Sequence, residues 1–290
     1  MAGPRTVGAR PVTFPSPAAG PVSDCFPDSV CADWITRYDG SAHTYDRGIS
    51  MVTSADGSRI YVTGASTGTS SLDFATVAYD APTGQQLWAR RYDGPDHGSD
   101  APFAFGVGGN LITISKDGTR LFVTGSSADA TGKNSYVTIA YNAADGTQLW
   151  VSNYSTPQDS QATSLVLSAD GQRLYVTGFS AVALAVPPAP PAVNYDFGTI
   201  AYDTATGAQL WVARYDGPAG FWDVPYAMGV ASVRQPDGSR QEQLFVAGRS
   251  NGASSDNSAA DFATVVYDAL TGAQLWVGRY DGPGHDRDLA

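Results

Sequence analysis

The chain has 290 residues, with 17 lysines and arginines against 28 aspartates and glutamates, so its formal net charge at pH 7 is −11. An acidic chain without a basic run is poorly suited to phosphate backbones, which argues against nucleic-acid binding and electrostatic attachment to anionic membranes. Hydrophobic residues make up 42% of the chain, enough for a core, while 32 glycines and 18 prolines indicate many tight turns between short strands.

The N-terminal segment, residues 1–32, is rich in proline, alanine and glycine and is predicted to be flexible. It lacks an apolar run of about 7–15 residues, so it does not have the pattern of a secretory signal. No stretch of about 18 apolar residues predicts a transmembrane segment. Cys25 and Cys31 would form a disulfide in an exported protein and remain thiols in a cytosolic one, and the sequence leaves both alternatives open.

From Trp34 onward the chain is an internal repeat. Its recurring part contains a Tyr-Asp or Tyr-Asn pair, a turn ending in glycine, Gln-Leu-Trp, and in most copies Arg-Tyr-Asp-Gly. The tryptophans of this pattern are 54, 62, 61 and 65 residues apart, at Trp34, Trp88, Trp150, Trp211 and Trp276. The first copy contains only the last part, Trp34–Gly40, and four complete copies follow it.

Each complete repeat predicts four strands in chain order. The first strands are expected at Ile49–Thr53, Leu111–Ser115, Ser164–Leu167 and Ala227–Ala231. An Asp-Gly hairpin signal leads to the second strands, expected at Arg59–Gly64, Arg120–Gly125, Arg173–Gly178 and Leu244–Gly248. The third strand is Phe74–Tyr79 with its copies, and a turn ending in glycine leads to the fourth strand, which carries the tryptophan.

The second and third strands are apolar on both faces, so both faces of each sheet must be covered. Because no helical pattern is available to cover them, we predict an all-β fold, a β-propeller of four-stranded antiparallel blades. A linear β-solenoid uses shorter coils of about 20–30 residues. Within a propeller region at 33–290, the blades are expected at about 41–92, 95–154, 157–215 and 218–280.

Four complete blades and an orphan fourth strand at Trp34–Tyr38 predict an incomplete ring, with a four-bladed ring and a surplus strand as the alternative. In an incomplete ring the final blade has an uncovered apolar face, which favours self-association.

The string from Ala78 to Trp88 resembles the tryptophan-docking repeat of the PQQ-like, quinoprotein-type β-propeller family, Ala-x-Asp-x-x-Thr-Gly-x-x-x-Trp. The third copy fits fully, the second departs at Asn142 and Asp145, and the fourth departs at Val266.

The resemblance implies that each tryptophan packs against the neighbouring blade. It also implies an extracellular or cell-envelope location, with the cytoplasm as the alternative. The redox members use adjacent cysteines and a calcium beside the quinone. No such residues can be matched here, so we expect a non-enzymatic member without a cofactor, with calcium or PQQ as the alternative.

The links between repeats carry the candidate site residues. Three histidines, His43, His97 and His285, lie three residues after the glycine of Tyr-Asp-Gly. Three residues further on, four of the copies have an aspartate, at Asp46, Asp100, Asp223 and Asp288. The histidine position is occupied by Asp159 and Gly220 in the remaining two copies, and the aspartate position by Ala162 in one of them. Propeller topology would bring these links to the mouth of the axial channel. The candidate metal ligands are therefore His43, Asp46, His97, Asp100 and Asp223. The favoured alternative is structural, with each Asp bonded to backbone N–H groups of its turn and each His exposed.

Three further patterns have structural interpretations. Gly64–Gly68 and Gly248–Gly252 match Gly-x-Ser-x-Gly at one repeat position, without the strand–turn–helix context of a hydrolase. Recurring arginines before the second strand and before Tyr-Asp predict ion pairs between blades or on outer strands. The proline-rich stretch 181–193 lengthens one link on the same face as the His and Asp positions; it is interpreted as a surface insertion, or alternatively as a strap that contacts a partner or ligand.

These patterns favour a non-catalytic scaffold for protein or glycan interaction. The sequence shows no pair of catalytic carboxylates outside the repeat, no nucleophile–base pair and no metal motif of firm spacing, and we assign no catalytic residue. The alternative is a small-ligand or metal-binding propeller enzyme, a quinoprotein-like oxidoreductase that uses the mouth of the axial channel.

Overall fold

The computed structural model describes residues 34–102, 109–184, 192–218, 220–251 and 260–282. The regular elements among these residues are strands, arranged in four antiparallel sheets, as predicted for a β-propeller. No helix in the described part of the chain is long and apolar enough to cross a membrane. Segment 1–32, the two cysteines, His285 and Asp288 lie outside the described residues.

Each repeat forms one sheet whose strands pair in chain order. The first sheet contains β1 (Asp46–Thr53), β2 (Arg59–Thr67), β3 (Leu72–Asp80) and β4 (Gln86–Tyr92). The second contains β5 (Asp100–Ala101) and β6 (Ile112–Ile114), which both pair with β7 (Arg120–Ala128), followed by β8 (Asn134–Asn142) and β9 (Gln148–Tyr154). The third contains β10 (Ser160–Leu167), β11 (Arg173–Leu184), β12 (Ala192–Asp203) and β13 (Gln209–Tyr215). The fourth contains β14 (Asp223–Arg234), β15 (Arg240–Asn251), β16 (Ala260–Asp268) and β17 (Gln274–Tyr280).

The inner strands begin earlier than the sequence predicts. β1 starts at Asp46 instead of Ile49, because Asp46–Gly48 pair with Gly64–Ser66 of β2. Aspartate and glycine have low strand propensity, so local composition does not indicate this extension, and pairing with the neighbouring strand determines it.

The described part of the stretch 181–193 lengthens the pairing between β11 and β12. β11 continues to Leu184, which pairs with Ala192 at the start of β12. Its proline-rich part, residues 185–191, lies outside the described residues. The backbone N–H of Ala181 donates to the carbonyl of Asp159 at 2.7 Å, so this end of β11 lies beside the link that precedes β10.

Apolar side chains from successive sheets pack together and form the core. Tyr61 and Phe74 of the first sheet lie in one buried cluster with Leu121, Val123 and Tyr141 of the second. Similar clusters join the second sheet to the third and the third to the fourth. The second and third strands of the middle two sheets are therefore covered on both faces, as their two-sided apolar pattern predicts.

One tryptophan per junction covers a glycine turn of the next sheet. Trp88 of β4 lies against Gly146, where an added Cβ would be 2.7 Å from the indole ring, and its Nε1 donates to the carbonyl of Ala143 at 3.1 Å. Equivalent contacts join Trp34 to Gly84, Trp150 to Gly207 and Trp211 to Gly272. Residues 34–38 thus occupy the position of a fourth strand against the first sheet, although they pair with no strand among the described residues.

Candidate functional site

The histidines of the links occupy a turn position. His43 and His97 have φ values of 51° and 53°, and their N–H groups donate to the carbonyls of Gly40 and Gly94 at 3.0 Å. In the fourth link Gly220 takes this place with a φ of 60°. This left-handed conformation is costly for residues with a Cβ, so the position favours glycine on backbone grounds.

Each histidine side chain is exposed and pairs within its own turn. Nδ1 of His43 lies 2.7 Å from Oδ2 of Asp39, and Nδ1 of His97 lies 2.7 Å from Oδ2 of Asp93. The hydrogen bond with Asp93 raises the pKa of His97. Over the described ranges, neither histidine belongs to a group of three or more potential metal ligands.

Replacing His97 with glycine tests the turn role. We expect the melting temperature to stay the same or rise by up to about 4 °C, because glycine removes backbone strain and an exposed ion pair contributes little. The reverse change, Gly220→His, should lower it by a similar amount. Thermal unfolding followed by circular dichroism measures both; a clear loss of stability in His97→Gly would mean that the imidazole has a role beyond the turn.

Three of the inner strands begin with an aspartate: β1 at Asp46, β5 at Asp100 and β14 at Asp223. Each aspartate is hydrogen-bonded to the link that precedes its strand. Oδ2 of each accepts a hydrogen bond from a backbone N–H of that link. The donors are Gly40, Gly94 and Gly217, at 3.0, 2.6 and 2.7 Å. Asp100 and Asp223 are fully buried. Burial raises the pKa of Asp100, and it raises the pKa of Asp223 to about 6.

The third link is two residues shorter than the others, and Ser160 takes the aspartate position. Ser160 pairs with Ser180 of β11 as Asp46 pairs with Ser66 of β2. The sequence alignment that placed Ala162 there is wrong, because it assumed links of equal length.

An arginine on the outer strand anchors the end of the second strand in three of the sheets. Arg91 donates to the hydroxyl of Ser66 at 2.5 Å and pairs with Asp73 of β3 at 2.8 Å. Arg214 pairs with Asp196 at 2.8 Å and Arg279 pairs with Asp261 at 2.7 Å. These arginines therefore form ion pairs within a sheet.

Carboxylates from two successive sheets meet at two of the described junctions. Three side-chain oxygens lie within 4.8 Å of one another at each. The first group contains Asp73 of β3, Asp93 after β4 and Asp100 of β5; the second contains Asp196 of β12, Asp216 after β13 and Asp223 of β14. Sequence reasoning singled out Asp100 and Asp223 and missed the other four. The one available signal was the recurrence of these aspartates at equal repeat positions.

The last sheet exposes the surface that the earlier sheets bury. Trp276 and Tyr280 of β17 are 47% and 58% exposed, whereas the equivalent Trp88 and Tyr215 are 6% and 8% exposed. Phe245 of β15 is half-buried and packs edge-on against Trp276, with ring centroids 6.2 Å apart. We call Phe245, Trp276 and Tyr280 the terminal face. Trp276 was expected to pack against an adjacent blade, but no glycine turn among the described residues lies against it.

Three solved structures are similar to this chain to different degrees. Quinohemoprotein alcohol dehydrogenase from Comamonas testosteroni is 15% identical, with a TM-score of 0.50 over 77% of this chain and 34% of its own. A europium-containing methanol dehydrogenase is 13% identical, with a TM-score of 0.44 over 80% of this chain and 43% of its own. BamB from Moraxella catarrhalis is 14% identical, with a TM-score of 0.28 over 79% of this chain and 64% of its own. The chain thus spans less than two thirds of each, and the first likeness shows a shared fold alone.

No curated protein matches the sequence significantly. The family model described as outer membrane protein assembly factor BamB matches residues 37–286, which include all four sheets. This chain belongs to that PQQ-like β-propeller family.

Proposed function

We propose that this chain is a non-catalytic scaffold for protein interaction, and that two copies associate through their terminal faces. The observation that carries the proposal is the exposure of Trp276 and Tyr280 beside the half-buried Phe245, whereas the equivalent residues at the earlier junctions are buried or half-buried. Contiguous exposed apolar surface favours association, and aromatic residues contribute most to such interfaces. A family named for protein assembly is in line with this role.

The packing of the junctions favours a face-to-face arrangement of two copies. A head-to-tail contact would require a free glycine turn to receive Trp276. The four described turns are already covered, Gly84 by Trp34, Gly146 by Trp88, Gly207 by Trp150 and Gly272 by Trp211. The terminal face of one copy therefore meets the same face of the other, which gives a two-fold symmetric interface.

Trp276→Ser should abolish the association. We expect sedimentation velocity to show a concentration-dependent dimer for the wild-type chain and a monomer for this variant, with the dimer weakened at least about 30-fold by the loss of a central anchor. Leu149→Ser is the matched control, since Leu149 is exposed on an outer strand away from the terminal face, and it should associate like wild type. A wild-type chain that stays monomeric, or a Trp276→Ser variant that dimerises equally well, would contradict the proposal.

We also propose an extracellular or cell-envelope location, following the family's named role in outer-membrane assembly; the cytoplasm is the alternative. The alternative function is a quinoprotein-like oxidoreductase, favoured by the fold shared with the quinohemoprotein alcohol dehydrogenase. That alternative predicts saturable binding of PQQ, which the scaffold function does not require.

A further inference from the structure

The two aspartate groups have the dimensions of a single-ion site. Calcium binds carboxylate oxygens at about 2.3–2.6 Å, so ligands on opposite sides of one ion are about 4.6–5.2 Å apart. The three oxygens of each group lie within 4.8 Å of one another. They therefore fit in one coordination sphere.

Each group contains a buried carboxylate oxygen that receives no well-aligned hydrogen bond, although a serine hydroxyl lies beside it, Ser127 next to Asp100 and Ser250 next to Asp223. Asp100 and Asp223 are fully buried, and Oδ2 of each accepts the N–H of Gly94 or Gly217. Oδ1 of each is in the same state as Oδ1 of Asp46, buried and without a well-aligned hydrogen bond, but only Asp100 and Asp223 have two further carboxylates beside them. A buried carboxylate oxygen in this state is costly, and a bound cation would offset that cost.

The charge balance of each group suits a divalent cation. Arg91 pairs with Asp73 in the first group, and Arg214 pairs with Asp196 in the second, both at 2.8 Å. One arginine against three carboxylates leaves two negative charges in the second group; the first group has the same balance when His97, which pairs with Asp93 at 2.7 Å, is neutral. Oxygen-only ligands favour hard cations such as calcium over zinc or copper.

The junction between the second and third sheets has neither the three aspartates nor the arginine at the equivalent positions. Its equivalent positions are Ser135, Ser155 and Ser160, and the arginine position is Asn153. Nζ of Lys133 lies 3.5 Å from Oγ of Ser155 and 3.3 Å from the carbonyl of Thr156. The carboxylate at this junction, Asp159, instead accepts hydrogen bonds from the backbone and side chain of Asn134, so the three-carboxylate arrangement is absent there among the described residues.

We propose that the chain binds two calcium ions, one by Asp73, Asp93 and Asp100 and one by Asp196, Asp216 and Asp223. Each ion joins two carboxylates of one sheet to the first inner-strand residue of the next. At each of these junctions the tryptophan lies near the start of the outer strand, and the aspartate that follows that strand belongs to the proposed calcium site. The tryptophan contact and the calcium site therefore hold opposite ends of the junction between two sheets. The proposal does not depend on the terminal face or on the scaffold function.

Calcium titration of the full chain tests the proposal by calorimetry and thermal unfolding. We expect two calcium ions per wild-type chain and a melting temperature at least about 5 °C higher at saturation than in EDTA. Asp100→Asn should bind one ion, and the double variant Asp100→Asn, Asp223→Asn should bind none. Asparagine still accepts the glycine N–H, so we expect both variants to fold in EDTA.

Asp46→Asn is the matched control. Asp46 has the same strand position and the same glycine contact, but it belongs to neither group of three and should retain two ions. Absence of saturable calcium binding by the wild-type chain would overturn the proposal, as would equal binding by the double variant. Equally tight binding of magnesium would overturn the assignment to calcium.

Discussion

Truncation of Trp150 to alanine is expected to lower the free energy of unfolding by about 3–5 kcal/mol, through the cavity left by a buried indole. Trp150 is buried in the cluster between the second and third sheets, 5.8 Å from the ring of Phe122. Its Nε1 donates to the carbonyl of Thr204 at 3.1 Å, and truncation leaves that carbonyl without its donor. Urea unfolding followed by circular dichroism measures the loss.

Trp276→Ala provides the matched control because the chemical change and the repeat position are the same. Trp276 is about half exposed, so its truncation removes roughly half as much buried surface and should cost about 2 kcal/mol, clearly less than Trp150→Ala. Both measurements belong at a concentration where the wild-type chain is monomeric. Equal losses, or a loss below about 1 kcal/mol for Trp150→Ala, would show that the tryptophans do not pack between sheets as described.

Gly146→Ala is expected to cost about 2–5 kcal/mol, the second largest effect. Gly146 has a φ of 72°, which costs a residue with a Cβ about 1–2 kcal/mol. An added Cβ would also lie 2.7 Å from the ring of Trp88, and relief of that overlap costs about 1–3 kcal/mol more.

Gly118→Ala separates these two contributions. Gly118 has nearly the same φ, 70°, but an added Cβ there meets nothing within 4 Å. Its substitution should cost only the backbone contribution of about 1–2 kcal/mol. Urea unfolding of both variants gives the difference; if Gly146→Ala costs no more than Gly118→Ala, the tryptophan does not press on the glycine turn.

Repetition made the sheets predictable from the sequence. Trp88 and Gly146 recur at fixed positions of the repeat, so apolar alternation and turn signals indicated the same four strands each time. Strand starts such as Asp46 were missed, because polar residues there join the sheet only through pairing with β2. Local propensity does not contain that information.

The candidate site was predictable only in part. Asp100 and Asp223 were identified from their repeat position, but their neighbours depend on how two sheets meet. Asp73 is 27 residues before Asp100 and reaches it only because successive sheets pack face to face. His43 and His97 were proposed as ligand candidates, and the positive φ of their positions could not be predicted from residue type. Gly220 at the equivalent position was the available signal.

The outer-strand tryptophan is buried between successive sheets, as at Trp88 and Trp150, but exposed at Trp276 on the terminal face. We propose that this face binds a second copy of the chain. ¹⁹F NMR of the chain labelled with 5-fluorotryptophan tests this most directly, with resonances assigned by single Trp→Phe variants. At low concentration the Trp276 resonance should show a solvent isotope shift between H₂O and D₂O, whereas those of Trp88 and Trp150 should not. The Trp276 shift should disappear as the concentration rises. A Trp276 resonance that is protected at every concentration would contradict the exposed face, and one that is exposed at every concentration would contradict its association.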